Sequence, residues 1–312
     1  MNIFRSHLSL SLAAASVLLT AASAEAQLVF AVDDANNLLR FDASTPGLVT
    51  TVGNIGFAPK GMDFNPANGL LYAINVGAVN TQLFTIDLTT AATTAVGNSF
   101  LSVGVTPAAY NLGAADHYGF DFNPKTLQGD GSIRIRLVSS DGDNLRLNSS
   151  TGQISNVDGN LNGAATTAVG TAYANNLAGV PASGTTTLFQ ISPGSDSLYT
   201  QVPPNDGTLV LRGPLGVDAK NAIGFDIYTA GDGTTNTAYV ATDANAAVAG
   251  AELYTVDLAT GTATPVGTNG LIGLAGVNVV DIAVQPLPVP EPGVYGMLIT
   301  GIAMLGLRRR RS

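Results

Sequence analysis

The chain has 312 residues, of which only 11% are charged, and it contains no Cys and no Trp. Disulfides and thiolate metal sites are thereby excluded, so a folded chain of this length has to be held by its apolar core. Setting the two termini aside leaves 20 acids against 8 bases, about −12 in net charge; such a surface repels phosphate backbones, excludes nucleic acid as a partner, and serves solubility.

Residues 1–26 have the three parts of a secretory signal. Arg5 supplies the positive start, residues 8–22 form an unbroken run of apolar and small side chains, and Ala24-Glu25-Ala26 puts small residues at −3 and −1. Cleavage by signal peptidase is expected between Ala26 and Gln27, with an uncleaved anchor as the alternative. The next expected unit is one domain, residues 27–287.

Glu, Lys and Arg are scarce in that domain while Gly, Thr, Ala and Asn abound, a mixture that favours many short strands over helices. It also repeats. LFTIDLTTAATTAVG at 83–97 and LYTVDLATGTATPVG at 253–267 agree at eight of fifteen positions, and looser copies start at Leu39 and Leu145. A second element recurs as GMDFNP at Gly61, GFDFNP at Gly119, TAYANN at Thr171, GFDIYT at Gly224 and VVDIAV at Val279, at spacings of 58, 52, 53 and 55 residues. A period in the fifties, filled with alternating apolar runs and turn residues, predicts propeller blades of four strands.

In the clearest blade, residues 61–65 are expected as strand a, 70–75 as b, 83–88 as c and 93–97 as d, with the turn Pro66-Ala67-Asn68-Gly69 between a and b. Alternation sets Leu83, Thr85 and Asp87 on one face of strand c, and Phe84, Ile86 and Leu88 on the other. The chain starts with strands b, c and d at 28–33, 38–42 and 49–53, and ends with a lone strand a at 279–284. The two termini therefore complete one blade, closing a five-bladed β-propeller-like ring and removing two open edges. A β-sandwich or an open solenoid is the competing architecture.

Several segments carry a family resemblance: Gly119-Phe120-Asp121-Phe122-Asn123-Pro124, Asn144-Leu145-Arg146-Leu147-Asn148, Ala172-Tyr173-Ala174-Asn175-Asn176 and Pro203-Pro204-Asn205-Asp206-Gly207-Thr208-Leu209. They are similar to the bacterial domain of unknown function 4394, over nearly all of 28–285. The stretch Gln128-Gly129-Asp130-Gly131 departs from that pattern as an insertion. The resemblance implies a fold and no activity.

Strand a lines the axis of a propeller, and its matched third position reads Asp63, Asp121, Tyr173, Asp226 and Asp281. Four converging carboxylates would raise one another's pKa or take up a hard cation such as Ca²⁺, so Asp63, Asp121, Asp226 and Asp281 are the candidate metal ligands. The alternative is structural: each Asp accepts backbone N–H groups in or beside its own blade. Asp141-Gly142-Asp143-Asn144 lacks the later ligands of a calcium loop and reads as a solvated hairpin turn.

No catalytic constellation stands out. His117 is the one His after the signal, there is no Gly-x-Ser-x-Gly elbow, and Glu252 is the one Glu of the domain. No catalytic residue and no organic cofactor are therefore assigned. Pairs among the nineteen Asp residues leave glycoside chemistry open as an alternative.

The last segment, 288–312, mirrors the first. Val289-Pro290-Glu291-Pro292 precedes fifteen mostly apolar residues, 293–307, and then Arg308-Arg309-Arg310-Arg311. At ~1.5 Å per residue the apolar stretch spans roughly 22 Å as a transmembrane helix, with snorkelling arginines covering the mismatch to a ~30 Å hydrocarbon core. The arginines would stay cytoplasmic and the domain outside. This tail resembles the PEP-CTERM sorting signal of Gram-negative bacteria that make extracellular polysaccharide. The resemblance implies recognition of Pro290-Glu291-Pro292 by an exosortase and removal of the tail; a plain anchor is the alternative. The expectation is an exported surface or matrix protein that binds carbohydrate or protein, the alternative an extracellular polysaccharide hydrolase or lyase using Asp pairs.

Overall fold

Short apolar runs, each stopped by a Gly, Asn or Pro turn, pair into antiparallel sheets of four strands. The computed structural model describes residues 27–104, 110–125, 128–129, 131–177, 186–220, 223–243, 249–274 and 276–287. The chain opens with β1 (Leu28–Asp33), β2 (Asn37–Asp42) and β3 (Thr50–Asn54). Blade two is β4 (Met62–Phe64), β5 (Leu71–Val76), β6 (Asn80–Ile86) and β7 (Thr93–Leu101), followed by a ribbon of β8 (Val103–Gly104) and β9 (Tyr110–Asn111). Blade three is β10 (Tyr118–Asn123), β11 (Arg134–Ser139), β12 (Asn144–Asn148) and β13 (Ile154–Val157).

Blade four adds a parallel edge strand, β14 (Asn162–Gly163), to β15 (Gly170–Tyr173), β16 (Leu188–Ser192), β17 (Ser197–Gln201) and β18 (Thr208–Pro214). Blade five is β19 (Gly224–Thr229), β20 (Asn236–Thr242), β21 (Glu252–Val256) and β22 (Ala263–Pro265). Last comes β23 (Val279–Val284), which pairs antiparallel with β1 from Val29↔Val284 to Val32↔Asp281. Blade one is thus β23-β1-β2-β3. The innermost strands β4, β10, β15, β19 and β23 touch in succession round the axis, so the ring is closed. The fold is all-β, a five-bladed propeller.

Turn chemistry explains why one segment repeats so clearly. Each copy joins strands c and d of a blade through an Asp or Asn whose side chain caps the turn. Asp87 Oδ1 accepts the backbone N–H groups of Thr89 and Thr90 at 2.9 and 2.8 Å, and Asp257 Oδ1 those of Ala259 and Thr260 at 2.7 and 3.1 Å. Asn148 does the same for Ser150 and Thr151 at 2.8 and 3.2 Å. The expected strand c therefore ends early: β6 runs Asn80–Ile86, and Asp87 and Leu88 belong to the turn. Leu83 and Ile86, on opposite faces, are both buried because a blade packs against a neighbour on each side.

The core accordingly lies between blades, with one apolar cluster per seam among the described residues. Phe30, Leu38, Phe64 and Leu71 fill the seam between blades one and two, and Tyr72, Leu83, Phe120 and Leu137 that between two and three. Phe189, Ile191, Phe225 and Val240 fill the largest, between four and five; Val29, Phe41, Tyr239 and Ile282 close five onto one. The seam between three and four has the smallest cluster, Val138, Leu161, Ala168, Tyr199 and Leu209. There a buried Arg136 takes over. Its guanidinium donates to Asn144 Oδ1 and Asp158 Oδ2 at 2.7 Å each in blade three, and to Asn205 Oδ1 at 3.0 Å in blade four.

Residues 1–26 and 288–312 lie outside the described residues, and with them the expected signal and transmembrane helices, Ala24, Ala26 and the 289–292 and 308–311 motifs. Among the described residues no helix is long and apolar enough to cross a membrane.

Candidate functional site

The strand-a motif has Gly at its first position in blades two, three and five, Gly61, Gly119 and Gly224, and the reason is steric. A Cβ on Gly61 would stand 2.3 Å from Phe120 Cβ, and one on Gly224 would stand 2.4 Å from the Ile282 backbone nitrogen. Glycine lets each innermost strand lie against the next, which brings the Asp two positions later onto the axis. Asp63, Asp121 and Asp226 are at most 5% exposed, and Asp281 is half-buried.

Each of these carboxylates reaches across a seam. Asp63 Oδ2 accepts the N–H of Phe122 at 2.9 Å, Asp121 Oδ1 that of Tyr173 at 3.2 Å, Asp226 Oδ2 that of Val284 at 2.6 Å, and Asp281 Oδ2 that of Met62 at 2.6 Å. The second oxygens of Asp63, Asp226 and Asp281 accept the next N–H in their own strand, from Phe64, Ile227 and Ile282 at 2.6, 2.6 and 2.9 Å. Four of the five seams are latched this way.

The fifth, between blades four and five, is the one where the repeat has Tyr173 in place of Asp; its phenol lies beside the Arg136 guanidinium. Two asparagines substitute for the latch. Asn176 donates its N–H to Thr229 Oγ1 at 2.9 Å and its amide to Ile227 O at 2.6 Å, while the Asn175 N–H donates to Asn236 Oδ1 at 2.9 Å. This seam also has the largest apolar cluster.

Asp63, Asp121 and Asp226 each offer an oxygen within 4.8 Å of the other two, the one such trio of potential ligands among the described residues. Burial raises the pKa of Asp63 well above the carboxylate range, with Asp226 and Asp281 adding repulsion. Asp121 is raised by burial and by Asp63, Asp226 and Asp281, and Asp281 by burial and by Asp226 against the pull of two N–H groups. Asp226 is pushed to about 6 by burial, with the N–H groups of Val284 and Ile227 opposing. Protons can relieve this repulsion. A hard cation could do so too, held by Asp63, Asp121 and Asp226, while leaving the carboxylates free to accept N–H groups. Of the four carboxylates expected to converge, Asp63, Asp121 and Asp226 do and Asp281 stands outside the trio, while all four latch backbone N–H groups.

Where the innermost strands begin, a cavity of about 270 Å³ opens on the axis, lined by Asp34, Asn36, Lys60, Asp116, His117 and Asp281 among others. Asp281 is its link to the carboxylate ring. Lys60 Nζ donates to the Asp116 backbone oxygen at 3.3 Å. His117 immediately precedes β10; burial lowers its pKa, Asp116 opposes that and Lys60 adds to it. Sequence reasoning missed this cavity, although Lys60, Asp116 and His117 stand at most three residues before a strand-a motif. Asp143 also departs from expectation: its turn is a hairpin, but its carboxylate is buried against Ser139 Oγ at 3.1 Å instead of solvated.

The model of the domain of unknown function DUF4394 matches residues 37–283. The chain belongs to this family. No curated protein matches it. Among solved structures this DUF4394 chain is similar to TolB from Acinetobacter baumannii, at 12% identity over 84% of this chain and 67% of that one, with a TM-score of 0.43. It is also similar to a glutaminyl cyclase from Myxococcus xanthus, at 16% identity over 76% and 78% of the two chains, TM-score 0.37. A third is an engineered GH43 glycoside hydrolase with endo-xylanase and exo-arabinofuranosidase activity, at 12% identity over 81% of this chain and 54% of that one, TM-score 0.46. None of these likenesses bears on chemistry.

Proposed function

We propose that this DUF4394 propeller is an exported, non-enzymatic binding or structural module for carbohydrate or protein. It crosses the inner membrane by its N-terminal signal, is held transiently by its C-terminal segment, and reaches the cell surface or matrix after signal peptidase and an exosortase-like protease act on its two ends. One observation carries the non-enzymatic part. Among the described residues the axial carboxylates are the densest acid cluster, and they hold the blades together by accepting backbone N–H groups across seams. Paired acids for glycoside chemistry need an open cleft that admits a sugar ring and a water; Asp63, Asp121 and Asp226 are buried instead.

A glycan array on the purified protein, with reducing-end assays on every hit, tests this reading. Retention without release of reducing ends supports it. Sugar release that survives Asp-to-Asn changes at the axis but not at another Asp pair would make the protein a hydrolase or lyase. Export is tested by the size of the mature chain and by Pro290→Ala, which should block tail removal.

A second reading concerns the axis, favoured by the three oxygens within 4.8 Å: the ring takes Ca²⁺. Ca²⁺ would then raise Tm at pH 8, where the carboxylates need a counter-charge, and leave it unchanged at pH 4.5. No shift at either pH refutes the cation.

A further inference from the structure

The cavity at the axial mouth has a chemistry distinct from the ring beneath it. It sets two exposed carboxylates, Asp34 and Asp116, against one ammonium, Lys60, with Asp281 and His117 also in its wall, so negative charge is in excess. Lys60 is already turned onto the Asp116 backbone oxygen.

The shape argues against a bare ion. Only Asp63, Asp121 and Asp226 approach closely enough among the described residues to share one; the acids of the cavity stand apart around a space of about 270 Å³. That is room for roughly nine water molecules at ~30 Å³ each. An ion would meet one wall, whereas an organic cation of several atoms reaches Asp281 at the floor and the exposed Asp34 and Asp116 at the rim. Asn36 and His117 supply further polar groups for hydroxyls.

We propose that this cavity binds a compact primary ammonium compound flanked by hydroxyls, an amino sugar with a free amine in the first instance. The proposal rests on the binding-module reading above and names the ligand chemistry of its axial mouth. A neutral or N-acetylated sugar forfeits the charge match, so selectivity lies in the amine.

Isothermal titration of the full-length protein at pH 6 and low salt tests this with three probes: the glucosamine disaccharide, its di-N-acetylated form, and cellobiose. The free-amine sugar should bind, with the other two at least tenfold weaker. The double variant Asp34→Asn, Asp116→Asn should weaken the free-amine sugar at least tenfold at unchanged Tm, since both side chains are exposed and neither joins the axial latch. Equal affinity for the three sugars, or binding indifferent to the double variant, overturns the assignment of this cavity and leaves the binding-module reading intact. Failure of these probes and of every glycan on the array overturns both.

Discussion

Asp281 accepts the backbone N–H of Met62 at 2.6 Å across 219 residues of sequence, and so ties the strand that completes blade one to the innermost strand of blade two. The same bond recurs from Asp63 to Phe122, from Asp121 to Tyr173 and from Asp226 to Val284. A buried N–H left without an acceptor costs about 1–3 kcal/mol, so these carboxylates stabilise the ring although their mutual repulsion opposes it.

Two substitutions separate those effects. Asp63→Ala strips acceptors from Phe64 and Phe122 and should destabilise by roughly 2–5 kcal/mol at pH 4.5, and by less at pH 8 where it also removes a buried charge, read as midpoints in urea. Asp121→Asn keeps an oxygen for the Tyr173 N–H and removes a charge, so it should raise Tm at pH 8 and leave it unchanged at pH 4.5.

The pH profile of stability follows from the signs. Asp63, Asp121, Asp226 and Asp281 have pKa values raised above those of the unfolded chain, so their contribution is full below about pH 4 and is lost as pH rises through the folded values, about 6 for Asp226. The exposed Asp232, lowered to about 2 by the Thr235 hydroxyl and by N–H groups, and Asp87, lowered by the Thr89 hydroxyl and its neighbours, act oppositely and lose their contribution as pH falls below 4. Calorimetry without divalent cations should find Tm highest near pH 4–5. Asp226 alone corresponds to roughly 3 kcal/mol between pH 4 and 8.

Glycine at the start of strand a is a packing requirement. Gly224→Ala would press a methyl group onto the Ile282 nitrogen at 2.4 Å, and backbone cannot swing aside as a side chain can. The variant should lose at least ~2 kcal/mol, whereas Gly69→Ala, with open space around it, should lose only what its φ of +71° imposes.

These strands show how far the sequence could be read. GMDFNP, GFDFNP and GFDIYT carry the glycine and the axial Asp together, so blade number, closure and the Asp ring were legible from spacing alone. The c–d repeat was equally legible, because Asp87, Asn148 and Asp257 cap the same turn. The seam roles of Arg136 and Asn176 were not, since each is set by a neighbouring blade some 50 to 70 residues away. The axial cavity stayed hidden for the same reason: Asp34, Lys60, Asp116 and Asp281 come from separate stretches that only the closed ring unites.

Arg136 offers a check on the least apolar seam. Arg136→Met leaves Asp158 its partner Arg146 at 2.8 Å but takes the donor from Asn144 Oδ1 and Asn205 Oδ1, so a loss of about 1–3 kcal/mol for each oxygen left buried is expected. Hydrogen exchange should quicken first in β13 and in the turn around Asn205.

Ring closure carries the whole account, and a crosslink tests it directly. Ala31 and Ile282 face each other in the β1–β23 pair, and the chain contains no Cys of its own. In the double variant Ala31→Cys, Ile282→Cys, mild oxidation of the native protein should give an intramolecular disulfide and a higher Tm. If the two thiols instead stay free in the native state, or bond only between molecules, the first and last strands do not share a blade and the axial ring does not exist as described.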